Sequence, residues 1–489
     1  MTEHKVSTKN KYAYSVSGIG RDMMYALYST YLIVFFTNAL GLPDWELLAV
    51  GIVIALARIW DAFNDPIMGN IIDNTKSRYG KFKPWILIGA ITSAILIFML
   101  FQDYQLMGVA FVAVFAFLYV LSGMAFTMND IAYWSMYPTF STNPKERESI
   151  GSLARIFASL GMFLTIAFVP IIYQNYSGGP KRAFFFLALI IGAIFIISQL
   201  VVFFLVKEEK NPIIHVKQEK TRFRDLFKII IRNDQLVVII VAILLFNTGY
   251  FITTALGLYF FDYDFNRYGG IEFLLFSAIL AISQLTALIS FPHLVKRMTR
   301  KRIFGMAVLM MVLGYVLFMS VGYVLPKTML FVGLAGLVLF SGQGFIQVLV
   351  LVMLADTIEY GQWKLGTRNE SVVFAINPFV TKLATSIQTF VVTATLAFSG
   401  LNSQVIKPVT DAKNANPNMT NEEVRTLIAS LVSPEMLLRL RTSMIVVPLI
   451  MIIVAYIIFR LKFKIDTTFY AKITTELAER VLAEQTPKF

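Results

Sequence analysis

The chain has 489 residues, of which 57% are hydrophobic and only 15% charged, and it contains no cysteine. Globular chains carry about 25% charged residues, so a soluble protein is excluded, and disulfides, thiolate chemistry and cysteine-based metal sites go with it. The net charge of +13 would suit a nucleic-acid binder only if the cations formed one surface, and they do not.

Apolar segments long enough to cross roughly 30 Å of hydrocarbon at 1.5 Å per residue recur along the whole chain. They predict twelve helices, at 12–40, 46–72, 84–101, 107–138, 150–174, 183–206, 235–261, 271–294, 303–325, 328–358, 371–399 and 436–462. Cations cluster in alternate connections. Segment 76–83 carries Lys76, Arg78, Lys81 and Lys83, 296–302 reads KRMTRKR, and 207–232 runs from Lys207 and Lys210 to Lys228 and Arg232. The connections 41–46 and 102–106 have none. This is the positive-inside distribution. It makes the basic loops cytoplasmic, and an even helix number behind a basic N-terminus (Lys5, Lys9, Lys11) makes both termini cytoplasmic. Topology thus accounts for the positive charge without nucleic acid. No apolar stretch followed by a small-residue cleavage site opens the chain, so no cleaved signal peptide is expected.

The expected fold class is an all-α polytopic membrane protein with 12 transmembrane helices in two six-helix bundles, 1–206 and 235–465. A cytoplasmic middle loop, 207–234, joins them, and 466–489 forms a cytoplasmic tail with one amphipathic helix, ITTELAERVLAE. The loops DNTKSRYGKFKPW and HLVKRMTRKRIFG fall at the same place in each half. Parallel six-helix repeats around a midplane site are the major facilitator plan. Residues 401–435, with the helical stretch TNEEVRTLIASLV, read as an outer surface cap.

A charge at the bilayer centre costs about 2.5–3.5 kcal/mol on insertion scales, so each needs a partner or a function. The second helix reads ARIWDAFNDPIMG, which sets Arg58, Asp61 and Asp65 at i, i+3 and i+7 beside Asn64. Two carboxylates one turn apart in a low dielectric share a proton, pair with a cationic side chain or bind a metal cation. The first helix adds Asp22 and Tyr25, the fourth Thr127, Asp130 and Trp134, the fifth Arg155 and the eleventh Lys382. Carboxylates that accept from hydroxyl pairs beside an indole that stacks on a pyranose are the chemistry of sugar recognition. With Arg21 facing outward, the buried set is Asp22, Asp61, Asp65 and Asp130 against Arg58, Arg155 and Lys382, one net negative charge that a bound Na+ or H+ would neutralise. Asp73, Asp356, Glu359 and Arg368 stand at cytoplasmic helix ends, where ion pairs of an inner gate or ones that tether loops are expected. His4, His215 and His293 lie in tails, loops or helix ends, none at ligand spacing, so a histidine relay or metal centre is not expected.

The string ARIWDAFNDPIMGNIIDNTKSRYGKFKPWILIG resembles the second helix and following loop of the glycoside-pentoside-hexuronide:cation symporters, which include the melibiose permeases. GIGRD, FTMNDIAYWS, ARIFASLG, ADTIEYGQWKLGTRNES and Lys382 continue the match in order. The resemblance implies a major facilitator fold and cation-coupled sugar symport. It places Asp61, Asn64, Asp65 and Thr127 at the coupling-cation site and Asp22, Asp130, Trp134 and Arg155 at sugar-binding positions. Lys382 falls near both, and Tyr25 is a neighbour added to the sugar set. Four oxygen-bearing groups suit a hard monovalent metal ion, Na+ or Li+, and a proton can replace it on Asp61 or Asp65. Gln347 stands where melibiose permeases have a sugar-facing Trp, and Asn377-Pro378 replace other polar residues. Melibiose itself is therefore in doubt, and a β-galactoside, an α-xyloside, a pentoside or a glucuronide becomes a candidate.

The resulting expectation is a secondary active transporter in the cell membrane, functional as a monomer, that couples a small sugar or glycoside to Na+ or H+ and uses no cofactor. Two rivals are a lysolipid carrier on the same fold and a membrane-embedded enzyme. The first needs an apolar lateral path to its site. The second is disfavoured because glycosidase carboxylates flank an accessible soluble cleft, and these sit at membrane depth with no Cys, no well-placed His and no soluble domain.

Overall fold

A computed structural model describes residues 6–136, 139–140, 144–207, 230–366 and 370–485. Most of the expected middle loop, with His4, His215 and Arg368, lies outside them. Among the described residues the chain is helical, with a single isolated bridge between Val321 and Leu325. The helices are α1 (Thr8–Phe35), α2 (Asp44–Asp73), α3 (Lys83–Leu100), α4 (Gly108–Met136), α5 (Pro144–Asn175), α6 (Gly179–Leu205), α7 (Asp234–Tyr259), α8 (Glu272–Arg297), α9 (Arg300–Ser320), α10 (Met329–Leu365) and α11 (Glu370–Phe398). After them come α12 (Lys407–Ala415), α13 (Asn421–Leu431), α14 (Pro434–Arg441), α15 (Val447–Lys462) and α16 (Thr467–Gln485). A π-helical turn, Thr442–Val446, joins α14 and α15 into the last span.

Several helices outrun their apolar cores. α5 begins at Pro144, with a proline at its start and Glu146 in its first turn, both favourable at a helix N-terminus. α10 continues to Leu365, where Gly366 takes the left-handed conformation that ends it. Among the described residues eleven stretches are long and apolar enough to cross a membrane. The twelfth, α2, has 30 residues, and Arg58, Asp61 and Asp65 dilute its apolar character. Outward faces carry exposed apolar side chains such as Phe117, Ile197 and Leu309, as a lipid-facing surface requires.

Contacts divide the chain into two compact units. The first comprises Met1–Lys217, Phe261–Leu274 and Val392–Leu437. In it α1 packs on α5 and α6, α3 on α4 and α6, and α2 on α4. Without a hydrophobic drive between helices in lipid, small residues and interhelical hydrogen bonds hold such contacts. A β-carbon at Gly161 of α5 would come within 2.2 Å of the Ile19 carbonyl oxygen, and one at Gly20 of α1 within 2.5 Å of Ser198. Tyr14 and Tyr133 stack at 4.4 Å, and each hydroxyl donates to the other's carbonyl, at 2.8 and 2.9 Å. Asn129 Nδ2 donates to the Ile86 carbonyl at 2.7 Å, and Gln199 Nε2 to that of Ser17 at 3.2 Å. These ties fix α4 against α1 and α3, and α6 against α1, close to the polar cluster described below.

At the end that carries the α1–α2 connection this unit is fastened by side chains of the 402–431 segment. Asn402 Nδ2 donates to the Leu42 carbonyl and to Asp44 Oδ1, at 3.0 and 2.8 Å. Lys407 reaches the Gly41 carbonyl, and Asn414 that of Ala39. Thr420 and Glu423 form a capping box that starts α13.

The second unit comprises Gln218–Phe260, Leu275–Val391 and Leu438–Phe489. α7 packs on α15 and α9 on α10. Thr253 on α7 pairs with the Tyr315 hydroxyl at 2.8 Å and donates to the Met444 carbonyl at 2.9 Å. Arg300 at the start of α9 pairs with Asp356 of α10. The tail helix α16 packs on α10, where Trp363 Nε1 donates to Glu476 Oε2 at 2.6 Å.

Candidate functional site

Two clusters stand on neighbouring turns of α4. The first surrounds Asp130. Arg21 on α1, expected to face outward, is instead 3% exposed. Its Nη2 lies 3.0 Å from both oxygens of Asp22, and its Nη1 pairs with Asp130. The guanidinium also lies over the rings of Tyr133 and Trp134, at 4.8 and 4.6 Å. Arg155 of α5 sits 5.0 Å from the Trp134 ring. The expectation for Arg21 is therefore corrected. Its physical basis is local: one residue on a helix is a 100° step, so the outward assignment held only if α1 faced lipid there, and α1 is packed on both α5 and α6.

The correction changes the charge balance. Four carboxylates are now set against Arg21, Arg58, Arg155 and Lys382, and the set sums to zero rather than to one negative charge. Within the first unit alone, without Lys382, one negative charge remains. Burial grades across the cluster: the Arg21 side chain is 4% exposed, Asp22 17% and Asp130 41%. Arg155 is exposed and Trp134 half-buried, so one edge of the cluster is open. Tyr25, one turn along α1, is half-buried with its ring 5.7 Å from Phe126.

The second cluster lies between α2 and α4. Thr127 Oγ1 donates to Asp65 Oδ1 at 3.2 Å. Arg58 Nη1 lies 3.4 Å from Asp61 Oδ2 and 5.9 Å over the Tyr28 ring, measured from Cζ. On this helix Asp61 thus meets a cation and Asp65 a hydroxyl. Asn64 is buried, and its Nδ2 has no hydrogen-bond partner among the described residues. Carboxylate, amide and hydroxyl oxygens are the donor set of a hard cation. Among the described residues no group of three or more His, Cys, Asp or Glu could hold a metal ion. A site built here draws on Asp61, Asn64, Asp65 and Thr127 together.

Lys382 belongs to the second unit, on α11, where it is half-buried and its carbonyl accepts from Thr385 Oγ1 at 2.7 Å. The other candidate residues all belong to the first unit. Gln347 is exposed on α10, and the side chains of Asn377 and Pro378 lie outside the described residues.

The sequence profile of the family described as "MFS/sugar transport protein" matches residues 13–467. The chain belongs to that family. It is 31% identical over 97% of its length to the lactose permease of Leuconostoc lactis, of which it spans 72%. It is also 31% identical to the raffinose carrier protein of Pediococcus pentosaceus, over 80% of this chain and 62% of that protein. The isoprimeverose transporter of Lactiplantibacillus pentosus matches at 28% over 79% of each chain. Among solved structures, a mutant of the nucleoside transporter NupG shares the fold with a TM-score of 0.60 at 12% identity, over 93% of this chain and 100% of that one. These relatives agree with the symporter resemblance and with the twelve-helix major facilitator fold. The protein is a transporter and not an enzyme, and the lysolipid reading finds no support among the relatives.

Proposed function

We propose that the protein imports a small glycoside together with Na+ by alternating access. The observation that carries this reading is the spacing on α4: Thr127 serves the cluster with Asp61, Asn64 and Asp65, and Asp130 the cluster with Asp22, Arg21, Trp134 and Arg155. Three residues of helix rise by about 4.5 Å, so occupancy of one cluster is felt at the other through a single rigid element. The named relatives carry lactose, raffinose and isoprimeverose, all small glycosides, which supports that substrate class.

In this mechanism Asp22 and Asp130 accept hydrogen bonds from sugar hydroxyls, Arg155 donates, Trp134 offers its ring to the apolar face of the pyranose, and Tyr25 lines the edge. Lys382, on the second unit, is assigned to the sugar by the family resemblance alone. Asp61, Asn64, Asp65 and Thr127 hold the cation. Cation entry neutralises carboxylate charge beside α4 and favours the arrangement that binds sugar, a coupling typically about 1–3 kcal/mol. Symport requires that the doubly loaded and the empty forms cross readily and that the singly loaded forms do not. The halves 1–206 and 235–465 rock about the site, with 207–234 as the link. Both termini face the cytoplasm of a cell-membrane protein that works as a monomer.

Counterflow of a labelled glycoside panel into proteoliposomes, with Na+, Li+ or neither at two pH values, tests the reading. Na+-dependent uptake of intact sugar is expected. Uptake that ignores Na+ and follows pH assigns the coupling to H+, uptake with no ion dependence overturns symport, and cleaved sugar overturns transport as the activity.

A further inference from the structure

An apolar groove of about 510 Å³ runs along the first unit between α5 and α6, with Met23 of α1 at its floor. It shares no residue with either cluster. Its rim includes Phe168, Phe186 and Ile190, which are 45%, 43% and 55% exposed, so it opens to the hydrocarbon around the protein. Three dimensions select the occupant. The groove-lining strip of α6 runs from Ala183 to Ile194, about 16 Å of helix, close to the ~15 Å depth of one hydrocarbon leaflet. A methylene has roughly the ~30 Å³ volume share of a water, so the groove holds about 17 carbons, one acyl chain. Arg182 is one helical turn before Phe186, in line with Phe186, Ile190 and Ile194 at intervals of four residues.

That alignment sets a cation at the water end of an apolar slot. The neighbouring Lys181 is committed to Asp103 at 2.7 Å. Arg182 is exposed and has no hydrogen bond or ion pair among the described residues. A β-carbon on Gly178 would sit 2.5 Å from the Tyr176 ring and 3.3 Å from Arg182 Cδ, so the tyrosine and the arginine flank one point of the chain at the mouth of the groove. Tyr176 also lines the groove, with its ring 6.0 Å from that of Phe186.

We propose that this groove is a built site for one anionic phospholipid of the leaflet on the side of the α5–α6 connection, its acyl chain between the helices and its phosphate on Arg182. The floor links it to function. Met23 follows Asp22 in α1, and Thr165 on the groove wall donates to the Met23 carbonyl at 3.4 Å. A chain in the groove therefore packs against the back of the turn that carries Arg21 and Asp22.

The test is native mass spectrometry of the full chain purified from vesicles of dioleoylphosphatidylcholine with a minor fraction of dioleoylphosphatidylglycerol. One retained phosphatidylglycerol is expected. Arg182→Gln should lower its occupancy about fivefold, the weight of one interfacial cation against an anionic lipid, and Arg182→Lys should restore most of it. Ile190→Trp, which fills the groove from its exposed rim, should abolish retention at unchanged helical content. Equal retention by wild type and Arg182→Gln, preference for phosphatidylcholine, or a crosslink through position 190 to a second copy would each overturn the proposal. Arg182 is on the surface, so that arm decides even where Ile190→Trp does not fold.

Discussion

Arg21 offers the sharpest test of the proposed sugar site. Its guanidinium makes two 3.0 Å contacts with Asp22, pairs with Asp130, and covers Tyr133 and Trp134. Removing one partner of a buried ion pair costs about 3–5 kcal/mol, and cation–π contacts add about 0.5–2 kcal/mol. Asp130 is 41% exposed and Asp22 17%, so water screens part of that loss, which leaves about 3 kcal/mol. Arg21→Met frees two like charges to move apart, and a glycoside must then bring them together with its own hydroxyls. If half or more of the loss falls on binding, sugar affinity should drop about 10- to 100-fold at 1.4 kcal/mol per decade. The assay is equilibrium binding of a labelled glycoside that passes the counterflow screen, with cation binding measured alongside. Cation affinity should hold, because Thr127 and Asp65 keep their contact. In an Asp22→Asn, Asp130→Asn background, the same change should lose much less, because the charges it restrains are gone. A sugar Kd within twofold of wild type, or full additivity in the cycle, would refute the reasoning.

Other outcomes follow from the same contacts. Asp65→Cys should abolish uphill accumulation while sugar exchange persists, and full Na+-driven accumulation by that variant would remove Asp65 from the cation site. Asn402→Ala deletes a buried bond to Leu42 and a part-buried one to Asp44, and should loosen this fastening by about 1–3 kcal/mol, read as faster amide exchange in 37–44 and 402–415. Asp466 caps the tail helix: hydrogen bonds from the Thr468 hydroxyl and the Phe469 amide hold its carboxyl down to about 2, below the ordinary 3.8. A depressed carboxyl stabilises above its unfolded value and loses that contribution as pH falls through the folded one. Tail docking, followed by the fluorescence of Trp363 against Phe469, should therefore be constant above about pH 4 and weaken toward about pH 2. Asp466→Ala should show the weakened signal at neutral pH.

Much of this was legible in residue order because lipid imposes a simple rule: backbone groups must pair within the segment, so apolar runs become helices and cations stay outside. The twelve spans and the alternating basic loops follow from that rule, and so does the concentration of candidate chemistry on α1, α2 and α4. Helix ends were less legible. Hydropathy marks only the apolar run, whereas α5 starts at Pro144 and α10 ends at Gly366, by backbone capping.

Arg58 and Asp61 lie at i, i+3 on one helix, so their pairing needed only helical geometry. Thr127 with Asp65 joins two helices, and no spacing within either could reveal the contact. Arg21 was misread for the same reason. Its partners are its neighbour Asp22 and the distant Asp130, 109 positions along the chain, and only the packing of α1 on α5 and α6 decides that position 21 turns inward. Residue order determined the membrane fold and which side chains are too charged to be idle; tertiary packing alone decided how those charges are partnered, because pairing depends on distances between helices that a one-dimensional pattern does not contain.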